Sequence, residues 1–217
     1  MLPLAPCPAT AGGYELFCVG AHADDIEIGC GGTLLRLLRE LDVERITWVV
    51  LSGNRERAAE ARKAARRIVG RQAELRLVQG EFRESYFPYE AVPIKQLFDQ
   101  LGRETRPDLV FTHYRKDRHQ DHRLVSDLTY NTFRDHLVLE YEILKTDGDL
   151  GRPNVYVSLE RPVVDRKLKI VQDCFASQRT KRWFTDDAFR GLLRVRGVEA
   201  GGPSGYAEAF YGRKLVL

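Results

Sequence analysis

The chain has 217 residues, enough for one domain with a full core, and its 43% hydrophobic and 30% charged content is that of an ordinary folded protein. Lys and Arg number 34 against 31 Asp and Glu, so the formal charge is only +3, which gives no support to nucleic-acid binding by phosphate neutralisation. No apolar run approaches the ~20 residues of a membrane-spanning helix, so no membrane span is expected.

The opening MLPLAPCPATAGG lacks a basic segment and is broken by prolines. It reads as a flexible tail over 1–13 rather than a signal peptide, followed by a single domain over 14–217. Tyr14 to Ala21 (YELFCVGA) is a short apolar strand; a polar HADD and a glycine cluster follow, and then Leu34, Leu35, Leu37, Leu38 and Leu41 mark a helix. A second strand is expected at 44–51. The helix after it, over about 56–69, places Ala58, Ala61, Ala65, Ile68 and Val69 on one stripe, and Gly70 ends it. A short strand at 75–78 precedes a helix that begins near Pro93, with Ile94, Leu97, Phe98 and Leu101 at helical spacing. The remaining chain gives a strand at 108–113, a helix near 119–133, short strands near 139–144 and 153–158, helices near 163–177 and 185–196, and an extended segment over 206–217. Strands alternating with helices predict an α/β fold, Rossmann-like, with a mostly parallel sheet covered by helices on both faces. The four cysteines (Cys7, Cys18, Cys30, Cys174) are far apart and form no CxxC, which points to reduced thiols and a cytoplasmic protein.

In parallel sheets, ligands gather beyond the carboxyl ends of the strands. Two loops at such ends are rich in His and Asp: Ala21-His22-Ala23-Asp24-Asp25-Ile26-Glu27, and the run from His113 to His122 that ends in Asp117-Arg118-His119-Gln120-Asp121-His122. Of the 5 histidines in the chain, all but His136 lie in these loops. Three protein ligands with an open position are the pattern of a catalytic zinc site. His22 and Asp25 can reach one ion if the first loop turns after Ala23, and the third ligand would be His119 or His122; spacing does not choose between them. Asp24 is then a spare carboxylate suited to take a proton from water. His113, at a strand end, reads as a supporting residue.

The stretch AHADDIEIGCGGTL resembles the AHPDDxExGCGGTL signature of the PIG-L/LmbE family of zinc-dependent N-acetylglucosaminyl deacetylases, and DRHQDHR resembles the family's second signature, an HxDH preceded by Arg. The segment GYAEAF, Gly205 to Phe210, is similar to one that these proteins carry near their end. The resemblance implies His22, Asp25 and His122 as ligands of one Zn²⁺ per chain, with Fe²⁺ or Co²⁺ as alternatives. It implies Asp24 as general base, His119 as the group that steadies the oxyanion, and Asp121 as the residue that orients the His119 ring. Arg118 and Arg57 match substrate-contacting arginines. The implied reaction is hydrolysis of an N-acetyl group on an N-acetylglucosamine-type amino sugar by a metal-activated water, with an amidase acting on another N-acyl or thiol-sugar conjugate as the alternative. A homo-oligomer is implied as well. Ala23 departs from the family's proline, which bears on loop stiffness and removes no ligand. An Fe(II) oxygenase and a non-catalytic carbohydrate-binding protein are the readings from other classes.

The Gly29-Cys30-Gly31-Gly32 cluster lacks the third glycine of a dinucleotide-binding GxGxxG, because Leu34 stands there, so close helix–sheet packing is expected of it. Residues 55–71 carry 7 Lys and Arg against Glu56 and Glu60, which reads as a solvated helix face. Tyr86, Phe87, Tyr89, Trp183 and Phe184 fit either a sugar-binding rim or the core.

Overall fold

The computed structural model describes residues 12–215. Most of the tail expected over 1–13, and the last two residues of the 206–217 segment, lie outside that range. β1 (Tyr14–Gly20) runs through the centre of the sheet. Its side chains alternate between two cores: Leu16 and Cys18 face one, Phe17 and Val19 the other, and all four are buried. A strand buried on both sides is apolar at nearly every position, and this is why YELFCVG, apart from Glu15 near its start, shows no polar alternation.

The following elements are α1 (Asp25–Glu40), β2 (Val43–Val50), α2 (Arg55–Val69), β3 (Glu74–Gln79), a 3₁₀ turn at Phe87–Tyr89, α3 (Ala91–Glu104), β4 (Leu109–His113), α4 (Gln120–Thr132), β5 (Leu137–Tyr141), β6 (Val155–Ser158), α5 (Arg161–Cys174), a 3₁₀ turn at Ala176–Gln178, α6 (Asp186–Ala200) and β7 (Ala207–Gly212). The strands form one sheet in the order β3-β2-β1-β4-β5-β7-β6. β1 pairs in parallel with β2 and β4, β2 with β3, and β4 with β5, whereas β7 is antiparallel to both β5 and β6. The α/β class and the mostly parallel sheet expected from the sequence are what the chain adopts. Residues from α3 and α4 (Ile94, Phe98, Leu101, Val125, Leu128) cover one face, and residues from α1, α2, α5 and α6 cover the other. No helix among the described residues is long and apolar enough to cross a membrane.

Two sequence features set the helices against the sheet. Gly29 lies so close to β5 that an added Cβ would sit 2.3 Å from the Tyr141 ring, so the glycine cluster does serve close packing. Asn54 caps α2, its side chain accepting the Arg57 N–H at 2.9 Å.

The chain leaves β1 for β2 and β3 on one side, then crosses back to β4 on the other. The crevice at the carboxyl ends of β1 and β4 is therefore the switch point of the sheet, where α/β proteins place ligands. The loops that follow these two strands are those with the acidic and imidazole clusters.

Candidate metal centre

The loop after β1 folds back on itself: the His22 N–H donates to Asp25 Oδ2 at 2.7 Å, which draws the Asp25 carboxylate beneath the His22 ring. From across the crevice α4 brings His122. His22 Nδ1 and His122 Nε2 lie 3.1 Å apart, and the Asp25 carboxylate lies 3.4 Å from the first and 3.6 Å from the second. Four-coordinate zinc with bonds of ~2.0–2.1 Å spaces its ligand atoms about 3.3–3.4 Å apart, close to the separations here, in which Asp25 Oδ2 faces His22 and Oδ1 faces His122. His22, Asp25 and His122 are 6%, 3% and 2% exposed. Among the described residues, the triads whose ligand atoms converge are His22–His119–His122 and Asp25–His113–His122, and each shares two members with His22, Asp25 and His122.

The tautomers strengthen the fit. His122 Nδ1 faces Asp117 Oδ2 at 2.9 Å, and His22 Nε2 faces Asp121 Oδ2 at 3.2 Å. A carboxylate opposite one ring nitrogen holds the ring proton there and leaves the other nitrogen bare. Two bare nitrogens 3.1 Å apart repel unless a positive charge lies between them. Burial opposes the charged imidazolium, but Asp25 and Asp121 outweigh burial and raise the His22 pKa to about 10. Burial and neighbouring His113 lower the His122 pKa to about 3, so that ring stays neutral. Burial also works against the Asp25 carboxylate, yet His122, His113 and His22 together hold its pKa well below the ordinary value. The donor set thus fits a divalent cation that takes the place of the His22 proton.

Asp24 is buried beside this group and its carboxylate meets Arg57 Nη2 at 2.6 Å. Burial raises its pKa, with Arg57 as the main opposing influence. Arg57 reaches Glu84 as well, at 3.3 Å. The start of α2 thus brings the two Nη atoms of Arg57, a candidate substrate-contacting residue, onto Glu84 and Asp24. Arg118 is exposed and lines an open cleft with Tyr114, Lys116 and Asp149.

His119 caps α4, its Nδ1 accepting the Asp121 N–H at 3.2 Å. The ring proton of neutral His119 is then on Nε2, and burial, followed by the His22 charge, lowers its pKa and keeps it neutral. Its ring stands 4.8 Å from that of His22. Asp121 meets the His119 ring through its backbone N–H, while its carboxylate turns elsewhere. The start of α4 turns that carboxylate inward, onto His22 and onto the N–H groups of Ser85 (2.6 Å) and Phe87 (3.1 Å). One acid therefore holds the His22 imidazole and suspends the loop before α3. Ser85 has φ 67°, a left-handed conformation that costs a residue with a side chain about 1 kcal/mol or more and is found where function over-determines the backbone.

Sequence reasoning passed over Asp117, which positions His122 and is itself paired with Lys145 at 3.0 Å. Its signal was a carboxylate just ahead of two histidines in one loop, but which imidazole it would hold depends on the helix turn between them. His113 is fully buried, accepts the Ala21 N–H at 2.9 Å, lies 3.2 Å from Asp25 Oδ2 and stacks on His122 with ring centres 3.9 Å apart. Phe87 and Phe184 belong to the core, and Tyr86 and Tyr89 are exposed at 40% and 80%.

The family model for PIG-L, described as GlcNAc-PI de-N-acetylase, matches residues 17–133, slightly over half of the chain and inclusive of both loops. Among solved structures, N,N'-diacetylchitobiose deacetylase from Pyrococcus horikoshii is 19% identical with a TM-score of 0.71, over 93% of this chain and 84% of its own. The conserved protein TT1542 from Thermus thermophilus is 24% identical with a TM-score of 0.70, over 94% and 96%. GalB, the 4-carboxy-2-hydroxymuconate hydratase from Pseudomonas putida, is 18% identical with a TM-score of 0.74, over 94% and 98%. At these identities the likeness is one of fold.

Proposed function

The chain belongs to the PIG-L family of de-N-acetylases, and from that premise we propose that it is a zinc-dependent hydrolase that removes the acetyl group from an N-acetylglucosamine-type amino sugar. The observation that carries the reading is the convergence of His22 Nδ1, His122 Nε2 and the Asp25 carboxylate within 3.1–3.6 Å, with the Asp24 carboxylate beside them. His22, Asp25 and His122 would hold one Zn²⁺, or Fe²⁺ or Co²⁺ in its place. When bound, such an ion lowers the pKa of water and polarises a carbonyl oxygen.

The chain's own groups supply the rest. Arg57 holds the Asp24 carboxylate by a 2.6 Å ion pair, and Asp24 takes the proton of the water that attacks the acetamide carbon. His119, with its proton on Nε2, donates to the oxygen on which negative charge develops; a donor of this kind is worth about 3–4 kcal/mol. Asp24 then returns the proton to the departing amine, so that acetate and a free amino sugar are the products. Asp121 and Asp117 keep His22 and His122 in register, and Arg118 contacts the substrate beyond the acetamide.

Activity on another N-acyl or thiol-sugar conjugate is the alternative within this chemistry. The fold is also that of a hydratase, which adds water without releasing acetate. Acetate release from a panel of N-acetylglucosamine conjugates, with metal content measured on the same sample, tests the reading. Release that depends on bound metal supports it; turnover of an unsaturated acid with no acetate release from any member of the panel refutes it.

A further inference from the structure

Glu208, in the GYAEAF segment on β7, is 3% exposed, and its two carboxylate oxygens accept the backbone N–H groups of Gly32 at 2.8 Å and Thr33 at 2.6 Å, in the middle of α1. In an uninterrupted helix those N–H groups point at the carbonyls of Ile28 and Gly29. The Ile28 carbonyl accepts from Lys167 Nζ at 2.6 Å, and the same Nζ is 2.5 Å from Glu208 Oε1. Lys167 comes from α5 and is 4% exposed. Glycine at position 32 is what admits the carboxylate: a Cβ there would lie 3.0 Å from Glu208 Oε1 and 2.5 Å from Leu159 Cδ1.

The anion meets N–H groups and the cation meets a carbonyl, the polarity in which charges suit helix ends. Here that pattern is applied inside a helix, so the turn from Ile28 to Thr33 is clamped from α5 and β7 at once. A buried ion pair is a poor device for overall stability, because desolvation of both charges offsets their attraction. It is a good device for fixing geometry. Ile28 lies three residues after Asp25, about 4.5 Å along the helix axis.

We propose that Lys167 and Glu208 are positioning residues: by clamping the Ile28–Thr33 turn they set the height and rotation of the first turn of α1, so that the Asp25 carboxylate meets His22 and His122 at one point. The pair acts in this way only if those three side chains hold a metal, as proposed above. Neither residue touches ion or substrate, and the effect passes through the helix backbone.

The test is the zinc dissociation constant, from competition with a chromophoric chelator at room temperature, for the wild-type chain, Glu208→Gln, Lys167→Met and Phe98→Leu. Phe98 is buried in the core on the opposite face of the sheet, and Phe98→Leu reports what loss of stability alone does. Glu208→Gln and Lys167→Met are expected to weaken zinc binding at least tenfold while far-UV circular dichroism shows them folded. Phe98→Leu is expected to melt at a lower temperature and bind zinc as the wild type does. Wild-type zinc affinity in Glu208→Gln and Lys167→Met, accompanied only by a lower melting temperature, overturns the proposal, as does a failure of both to fold, which would make the pair an ordinary stability element. If one fails to fold, the other decides. A wild-type chain that takes up no zinc overturns the metal reading as well, and is seen before any variant is made.

Discussion

Asp121→Asn isolates the carboxylate that links the metal-side imidazole to the loop before α3. Asp121 accepts from His22 Nε2 at 3.2 Å and from the N–H groups of Ser85 at 2.6 Å and Phe87 at 3.1 Å. Asparagine keeps one acceptor oxygen. With that oxygen in the Oδ2 place, the amide NH₂ faces the Phe87 N–H, so one hydrogen bond becomes a contact between donors and the other two lose the assistance of the negative charge. Hydrogen bonds to charged groups contribute about 1.5–3 kcal/mol each, so unfolding stability should fall by roughly that amount. The zinc dissociation constant should rise ~10–100-fold, the usual loss when a carboxylate behind a metal-bound imidazole is removed; this equals about 1.4–2.7 kcal/mol. Chelator competition reads the affinity and a thermal melt reads the stability. Zinc affinity within twofold of wild type, with only a lower melting temperature, would show that Asp121 serves the loop alone and would refute the His22 orientation argument.

Removal of the metal should lower the melting temperature: at a free zinc concentration about 100 times Kd the bound form gains about 2.7 kcal/mol, or roughly 5–10 °C for a chain of this size, measured by melts with and without chelator. Asp24→Asn should retain the ion and lose ~10²–10⁴-fold in kcat; loss of the ion instead would mean that Asp24 and Asp25 exchange roles. Gly29→Ala forces a Cβ to within 2.3 Å of the Tyr141 ring and should destabilise by about 1–3 kcal/mol or more. Gly191→Ala in α6, where a Cβ meets nothing within 4 Å, should stabilise by up to ~1 kcal/mol in the same denaturant titration.

The parts of the fold that the sequence made legible are those where local pattern and tertiary role coincide. β1 reads as a largely apolar run because both its faces are covered, and α2 reads from its apolar stripe and its terminal glycine. The elements from β4 to α4 lie within two residues of their expected bounds. The antiparallel insertion of β7 between β5 and β6 was beyond reach. Residues 206–217 read only as extended, and strand order depends on contacts between segments far apart in the chain.

The same limit governs the site. Which residue types gather was legible, because two loops hold nearly all the histidines. Which carboxylate faces which imidazole was not: Asp121 is two residues from His119 in sequence and yet turns to His22, ninety-nine residues away, because the first turn of α4 points its side chain inward. That Arg57 pairs with Asp24 likewise depends on α2 being placed beside the β1 loop, thirty-three residues away in sequence. The glycine cluster was legible as a packing device, whereas the carboxylate that enters at Gly32 comes from the far end of the chain.

X-ray absorption at the zinc edge, on the metal-loaded chain and its single-histidine variants, bears most directly on the claim that one cation joins the two loops. The account predicts one zinc per chain with two imidazole nitrogens and a carboxylate oxygen at ~2.0–2.1 Å, one imidazole lost or the ion released in His22→Ala and in His122→Ala, and an unchanged spectrum in His113→Ala. Wild-type coordination in His22→Ala, or loss of an imidazole in His113→Ala, would contradict it.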